Sequence, residues 1–114
     1  MKYLQTNLLE IDTEAELKQL MKDHENLVVV LGRMGPMCIP VYDILEEIED
    51  DYPHVKFAVM GFDNPDGGII RNHPACRGFM GIPFTMYYKN GEVVKATTSI
   101  QNYQQITDIL KEKF

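Results

Sequence analysis

The run Leu27-Val28-Val29-Val30-Leu31 constrains this chain more than any other feature. Consecutive apolar residues, three of them β-branched, cannot alternate between core and solvent. The segment from Asn26 to Leu31 therefore reads as a strand buried on both faces, at the centre of a sheet. The next segment is equally specific. Gly32 to Pro40 holds two Gly and two Pro and is predicted to turn and open a helix. Proline is tolerated in a first helical turn because its missing N–H would have had no partner there.

The rest of the chain supplies the layers such a strand needs. Tyr3 to Leu9 is predicted as a short strand. Thr13-x-x-Glu16 is a capping-box pattern, and Leu17, Leu20 and Met21 come after it at helical spacing, which predicts a helix from Thr13 to Asp23. Val41, Ile44, Leu45 and Ile48 mark the buried face of the next helix, with Asp43, Glu46, Glu47, Glu49, Asp50 and Asp51 on its solvated face. Val55 to Met60 is predicted as a second strand, Asp63 to Gly68 as a turn or helix start, and Ile69 to Cys76 as a short helix ended or kinked by Pro74. Thr85 to Tyr88 and Val93-Val94 flank Lys89-Asn90-Gly91-Glu92, where Asn-Gly provides the positive φ angles of a tight hairpin. Ile106, Ile109 and Leu110 mark a last amphipathic helix. The order β-α-β-α-β-α-β-β-α implies parallel crossovers first and an antiparallel hairpin last. The expected fold is α/β, a mixed sheet with helices on both faces, in one domain spanning 1–114.

Eleven basic against seventeen acidic residues leave a net charge of −6. That balance argues against a nucleic-acid surface or an anionic membrane as partner. No apolar run approaches the ~18 residues of a membrane span. The start, Met1-Lys2-Tyr3-Leu4-Gln5, lacks the apolar stretch of a signal peptide, so a cytoplasmic location is the expectation. Cys38 and Cys76 are too few for a disulfide scaffold.

Three segments, in this order, resemble the thioredoxin family over nearly the whole chain. Ile44-Leu45-Glu46-Glu47-Ile48-Glu49-Asp50-Asp51-Tyr52 is similar to the helix after that family's active site. Asp63-Asn64-Pro65 is similar to its Asp-x-Asn-Pro turn, and Gly81-Ile82-Pro83 with Lys89-Asn90-Gly91-Glu92-Val93 to its cis-proline loop and hairpin. The resemblance implies a thioredoxin fold and a cis peptide before Pro83. Such a bond turns the backbone of Ile82 outward, where the family pairs it with an extended segment of a protein partner, like an added strand.

The resemblance also implies a Cys-x-x-Cys dithiol, and here the chain departs. Aligning the helix without gaps reads Gly35-Pro36-Met37-Cys38 over that motif, so Gly35 stands where the nucleophilic cysteine belongs and Cys38 where the resolving one does. Met34 then replaces a tryptophan, Val29 a buried aspartate that helps move protons, and Val59 its lysine partner. A register slipped by one residue reads Met34-Gly35-Pro36-Met37 over Cys-Gly-Pro-Cys, with Cys38 just beyond it. Both registers lose the first sulfur. A reductase attacks with an exposed, acidified thiolate and needs a second thiol to release the mixed disulfide.

These residues leave two function classes. One is a binding module, weak or inactive as a dithiol-disulfide reductase, that holds extended segments of partner proteins against Met34, Met37, Met80, Ile82 and Pro83. The other is a thiol-disulfide oxidoreductase acting through Cys38, alone, with Cys76 or with a partner's thiol. Whether Cys38 and Cys76 pair, or are unrelated thiols in a reducing compartment, stays open. Phe79 and Phe84, with the three methionines, are expected around the helix start and the Pro83 loop, the alternative being that some of them pack into the core; Arg33 and Arg77 are expected at the rim. Exposed methionines there would also be open to sulfoxide formation. His73 and Cys76, three apart with Pro74 between them, lack the paired spacing of a zinc site, so no metal and no other cofactor is expected. His24 and His54 read as surface residues.

Overall fold

The computed structural model describes residues 2–114; Met1, where the segment read for a signal peptide begins, lies outside them. The central run forms β2 (Asn26–Gly32), and every residue of it is buried. It is flanked by β3 (Lys56–Gly61) in parallel and β4 (Phe84–Lys89) in antiparallel pairing. β1 (Leu9–Ile11) pairs parallel with β3, and β5 (Glu92–Thr98) antiparallel with β4, giving the order β1-β3-β2-β4-β5. Asn90 and Gly91 both take positive φ in the hairpin, 52° and 80°.

Alternation along β2 divides the core. Val28 and Val30 pack with α2 (Ile39–Ile48) and α4 (Tyr103–Lys113), among Val41, Leu45, Ile48, Ile106 and Leu110. Leu27, Val29 and Leu31 pack on the other face with Leu17 of α1 (Glu14–Asp23) and Ile70 of α3 (Gly68–Arg71). Among the described residues no helix is long and apolar enough to cross a membrane.

Several boundaries differ from expectation, each for a local reason. Residues 3–8 are not a strand, and pairing begins only at Leu9. Their backbone donors go to side chains instead. Tyr3 and Leu4 N–H donate to the Glu10 carboxylate at 2.6 and 3.1 Å, and Asn7 N–H to Glu46 Oε1 at 2.9 Å. Leu4 and Leu8 sink into the α2 side of the core, so the segment is a strap across that face. Thr13 caps α1 as expected, accepting from Glu16 N–H, but the Glu16 carboxylate reaches back to Asp12 N–H rather than to Thr13. The helix predicted over Ile69–Cys76 is two pieces. α3 stops at Arg71, His73 is extended, and Pro74–Cys76 is a 3₁₀ turn, because a residue before proline disfavours the helical region. α2 ends at Ile48 and Glu49–Asp51 tighten into a 3₁₀ turn; Glu46 and Glu49 are half-buried rather than fully solvated.

Glu10 is buried on an edge strand, held there by the two strap amides. Glu10→Ala leaves both donors without an acceptor and is expected to cost about 1–3 kcal/mol, read as a lower urea midpoint at unchanged slope. An unchanged midpoint would show that the strap contributes nothing to the folded state.

Candidate functional site

The site lies where β2 and β3 end, at the paired residues Gly32 and Gly61. Beyond Gly32 the chain turns through residues 33–38 and enters α2. Gly35 C=O accepts from both Cys38 and Ile39 N–H, at 3.1 and 3.0 Å, which closes the turn and starts the helix. No side chain caps that start.

Cys38 is the residue just before α2 and is 1% exposed. It faces the sheet, and its sulfur is surrounded. Arg33 N–H approaches Cys38 Sγ at 3.5 Å, and a Cβ placed on Gly32 would lie 2.9 Å from that sulfur, 2.5 Å from Tyr42 Oη and 3.3 Å from Pro83 Cβ. Thus the thiol, a phenol and the Pro83 ring share the space that glycine leaves open. Tyr42 Oη donates to Arg33 C=O at 3.0 Å. Burial first, then the neighbouring Cys38 sulfur, pushes the Tyr42 phenol far up, so it stays a neutral donor.

Cys76 is 4% exposed and packs on the opposite face of the sheet, with its sulfur 3.5 Å from Met86 Sδ. Both cysteines are free, and the sheet stands between the two clusters they belong to. A Cys38–Cys76 pair is therefore not formed, and this fold does not bring the two together. Burial also raises the Cys76 thiol above the ordinary range, which lowers its thiolate fraction.

The Ile82–Pro83 bond is cis. The end of β5 grips this loop on either side of Ile82. Ser99, at φ 69°, donates its N–H to both Gly81 and Pro83 C=O at 3.0 Å, and the Thr98 hydroxyl also donates to Gly81 C=O. Ile82 itself has no backbone hydrogen bond among the described residues. Pro83 is buried and Ile82 half-buried.

The rim methionines divide by exposure. Met80 is 94% exposed, Met37 43% and Met34 39%. Met34 is partly engaged, because its sulfur accepts from Gln5 N–H of the strap at 3.3 Å. Ile39 and Ile100, at the start of α2 and just after Ser99, are exposed apolar neighbours in sequence of the same loops. Phe84 is buried, and Phe79 is half-buried against the edge of the same cluster. They stack edge to face at 5.4 Å on the α1 and α3 side of the sheet. Arg33 is held by a bidentate pair to Asp63, 2.8 and 2.9 Å, over the Phe62 ring. Each partner strengthens the other's charged form, raising the Arg33 and lowering the Asp63 pKa chiefly through that hydrogen bond. Arg77 is exposed and makes no ion pair among the described residues.

The strand register bears on the alignment. Val29 faces α1 and α3, away from Cys38, whereas Val28, Val30 and Val59 face the Cys38 side. Val28 is the residue the slipped register sets at the aspartate position, and Val29 the one the ungapped register sets there. In either register the facing side chain is aliphatic. Sequence reasoning read Gly32 only as part of the turn and missed Tyr42, Ser99 and the strap, which no local pattern marks.

At the other ends of the strands, Asp23, His24, Glu25, Pro53, His54, Val55 and Lys56 line a cavity of about 220 Å³. His24 is half-buried there and His54 exposed. Among the described residues no three His, Cys, Asp or Glu side chains are grouped to hold a metal ion.

No family model and no curated protein matches the sequence. Solved structures do match. A thioredoxin from Plasmodium falciparum is 17% identical, with TM-score 0.77 over 94% of this chain and all of the other. Mitochondrial thioredoxin 3 from Saccharomyces cerevisiae is 20% identical, with TM-score 0.76 over 92% of this chain and 94% of its own. Thioredoxin O2 from Arabidopsis thaliana is 11% identical, with TM-score 0.74 over 99% of both chains. At these identities the likeness establishes the fold, and the chain has the thioredoxin fold.

Proposed function

We propose that this chain is a thioredoxin-family protein that binds extended segments of partner proteins along Ile82 and is weak or inactive as a dithiol-disulfide reductase. One observation carries the reading: among the described residues the Ile82 N–H and C=O have no partner, and they lie beside a helix start whose remaining thiol is sealed. Unpaired backbone groups on a rigid loop are a template for strand addition. Met80, two residues before Ile82, and Met37, next to Cys38, offer exposed, flexible apolar side chains that adapt to different sequences, and Arg77, without an ion pair among the described residues, supplies positive charge nearby in the chain. The expected ligand is an extended apolar peptide, and an acidic residue within it would complement Arg77.

Thiol exchange through Cys38 is the competing reading, and the protein's own thiol separates the two. Arrayed 12-residue peptides, varied in apolar content and charge, are expected to bind wild type and Cys38→Ser equally. Met37→Asp with Met80→Asp is expected to weaken the best binders by about tenfold or more, the size of ~1.4 kcal/mol. Titration with such a peptide should shift the Ile82 amide resonance most. Loss of peptide binding in a folded Cys38→Ser, or mixed disulfides forming on Cys38 at thioredoxin-like rates, would return the redox reading. If no array member binds wild type, the groove is not a peptide site.

A further inference from the structure

We infer that the oxidant-sensitive sulfurs of this site are its thioethers, and that peroxide switches the rim from apolar to polar while both thiols stay reduced. The loss of peptide binding in this inference rests on the groove proposed above; the order of oxidation does not.

Oxidation begins at the sulfurs that solvent can reach. Cys38 is enclosed by Gly32, Tyr42 and Pro83, and Cys76 lies in the core against Met86. The sulfurs at the surface of the site belong to Met34, Met37 and Met80, with Met80 almost wholly in solvent. In one of the two registers that the motif allows, Met34 and Met37 stand at both of its cysteine positions; in the other they lie beside Gly35 and Cys38. A thioether does not exchange with disulfides, but it accepts one oxygen atom. Hydrogen peroxide transfers oxygen to Sδ as its O–O bond breaks; the sulfur is oxidised by two electrons to the sulfoxide and the peroxide is reduced to water. A sulfoxide reductase reverses the step at the expense of two thiols, giving thioether, water and a disulfide.

The product is a polar, hydrated group in place of an adaptable apolar one. At Met37 and Met80 that change falls on exposed side chains of the two loops that carry Cys38 and Ile82. At Met34 it falls on a sulfur already accepting the Gln5 N–H, which shields it and slows attack. The order expected from exposure is Met80, then Met37, then Met34, with Met60 and Met86 in the core last.

The test treats the folded protein with graded hydrogen peroxide, maps the ~16 Da additions by peptide mass spectrometry and counts free thiols with a chromogenic reagent after unfolding. Met80 and Met37 are expected to be modified while two thiols are still counted. Binding of the best array peptide should fall about tenfold and return after treatment with sulfoxide reductases of both epimer specificities. A Met37→Leu, Met80→Leu variant, whatever its own affinity, should show no comparable further loss on peroxide. Loss of thiols before Met80 is modified overturns the inference. So does unchanged peptide affinity with Met80 and Met37 fully oxidised. Failure of the untreated protein to bind any peptide overturns the groove and the switch together, while the oxidation map still reports which sulfurs are reachable.

Discussion

Gly35→Cys is expected to raise insulin reduction at least about tenfold above a wild type that stays at the dithiothreitol background. The substitution fits the backbone. A Cβ on Gly35 meets no atom within 4 Å, and Gly35 does not sit at a positive φ. The new sulfur would lie in the turn that opens α2, where the positive end of the helix dipole favours a thiolate and no side chain caps the start. The turn closed by Cys38 N–H on Gly35 C=O holds the two Cα atoms within about 7 Å, inside the span of a disulfide. Cys38 Sγ must rotate away from Gly32 to meet it, so the gain should stop short of a full reductase. Val28, Val30 and Val59 on that side are aliphatic, and the titratable groups there, Tyr42 and Glu10, are held by Arg33 C=O and the strap amides, which sets the same ceiling. Replacing a permissive glycine should also stabilise the fold slightly, by about 0.4–1 kcal/mol. A folded variant with three countable thiols and no activity above background would show that the missing sulfur is not what limits this site.

The layers of this fold were legible because hydrophobic period reports burial directly. Leu27 to Leu31 has no polar position to offer solvent, and it became the central strand. Asn90-Gly91 made the hairpin for the conformational reason the dipeptide suggests. The failures lie where backbone donors found side chains instead of neighbouring strands. Tyr3 and Leu4 have the composition of a strand, yet Glu10 accepts their N–H groups, a contact six and seven residues apart that no local pattern encodes. The site was half legible. The loss of the first cysteine is visible in the motif itself, but the separation of Cys38 from Cys76 depends on which sheet face each one meets. Met34, Met37 and Met80 read alike in sequence and differ in the fold, because the strap reaches Met34 alone through Gln5. Phe79 and Phe84 looked like rim residues by proximity to Pro83; alternation along β4 sends Phe84 to the far face, and Phe79 packs there with it.

Gly32→Ala is expected to cost about 2–4 kcal/mol, the sum of overpacking and a broken buried hydrogen bond. One methyl would stand 2.5 Å from Tyr42 Oη and 2.9 Å from Cys38 Sγ. Neither can yield easily: Tyr42 is fully buried and bonded to Arg33 C=O, and Cys38 is packed against the sheet. Against the ~5–15 kcal/mol that holds a typical domain together, that is a large share, and the urea midpoint should fall accordingly. Tyr42→Phe vacates the closer contact, so Ala at position 32 should cost less in that background, with a coupling of about 1–2 kcal/mol in the double-mutant cycle. The same methyl should press the thiol outward and speed its labelling by a disulfide reagent under native conditions, whereas a merely loosened core would speed labelling of Cys76 as well. Equal midpoints for wild type and Gly32→Ala would mean that the sulfur is not confined, and a Cys38 free to move would be a Cys38 able to react.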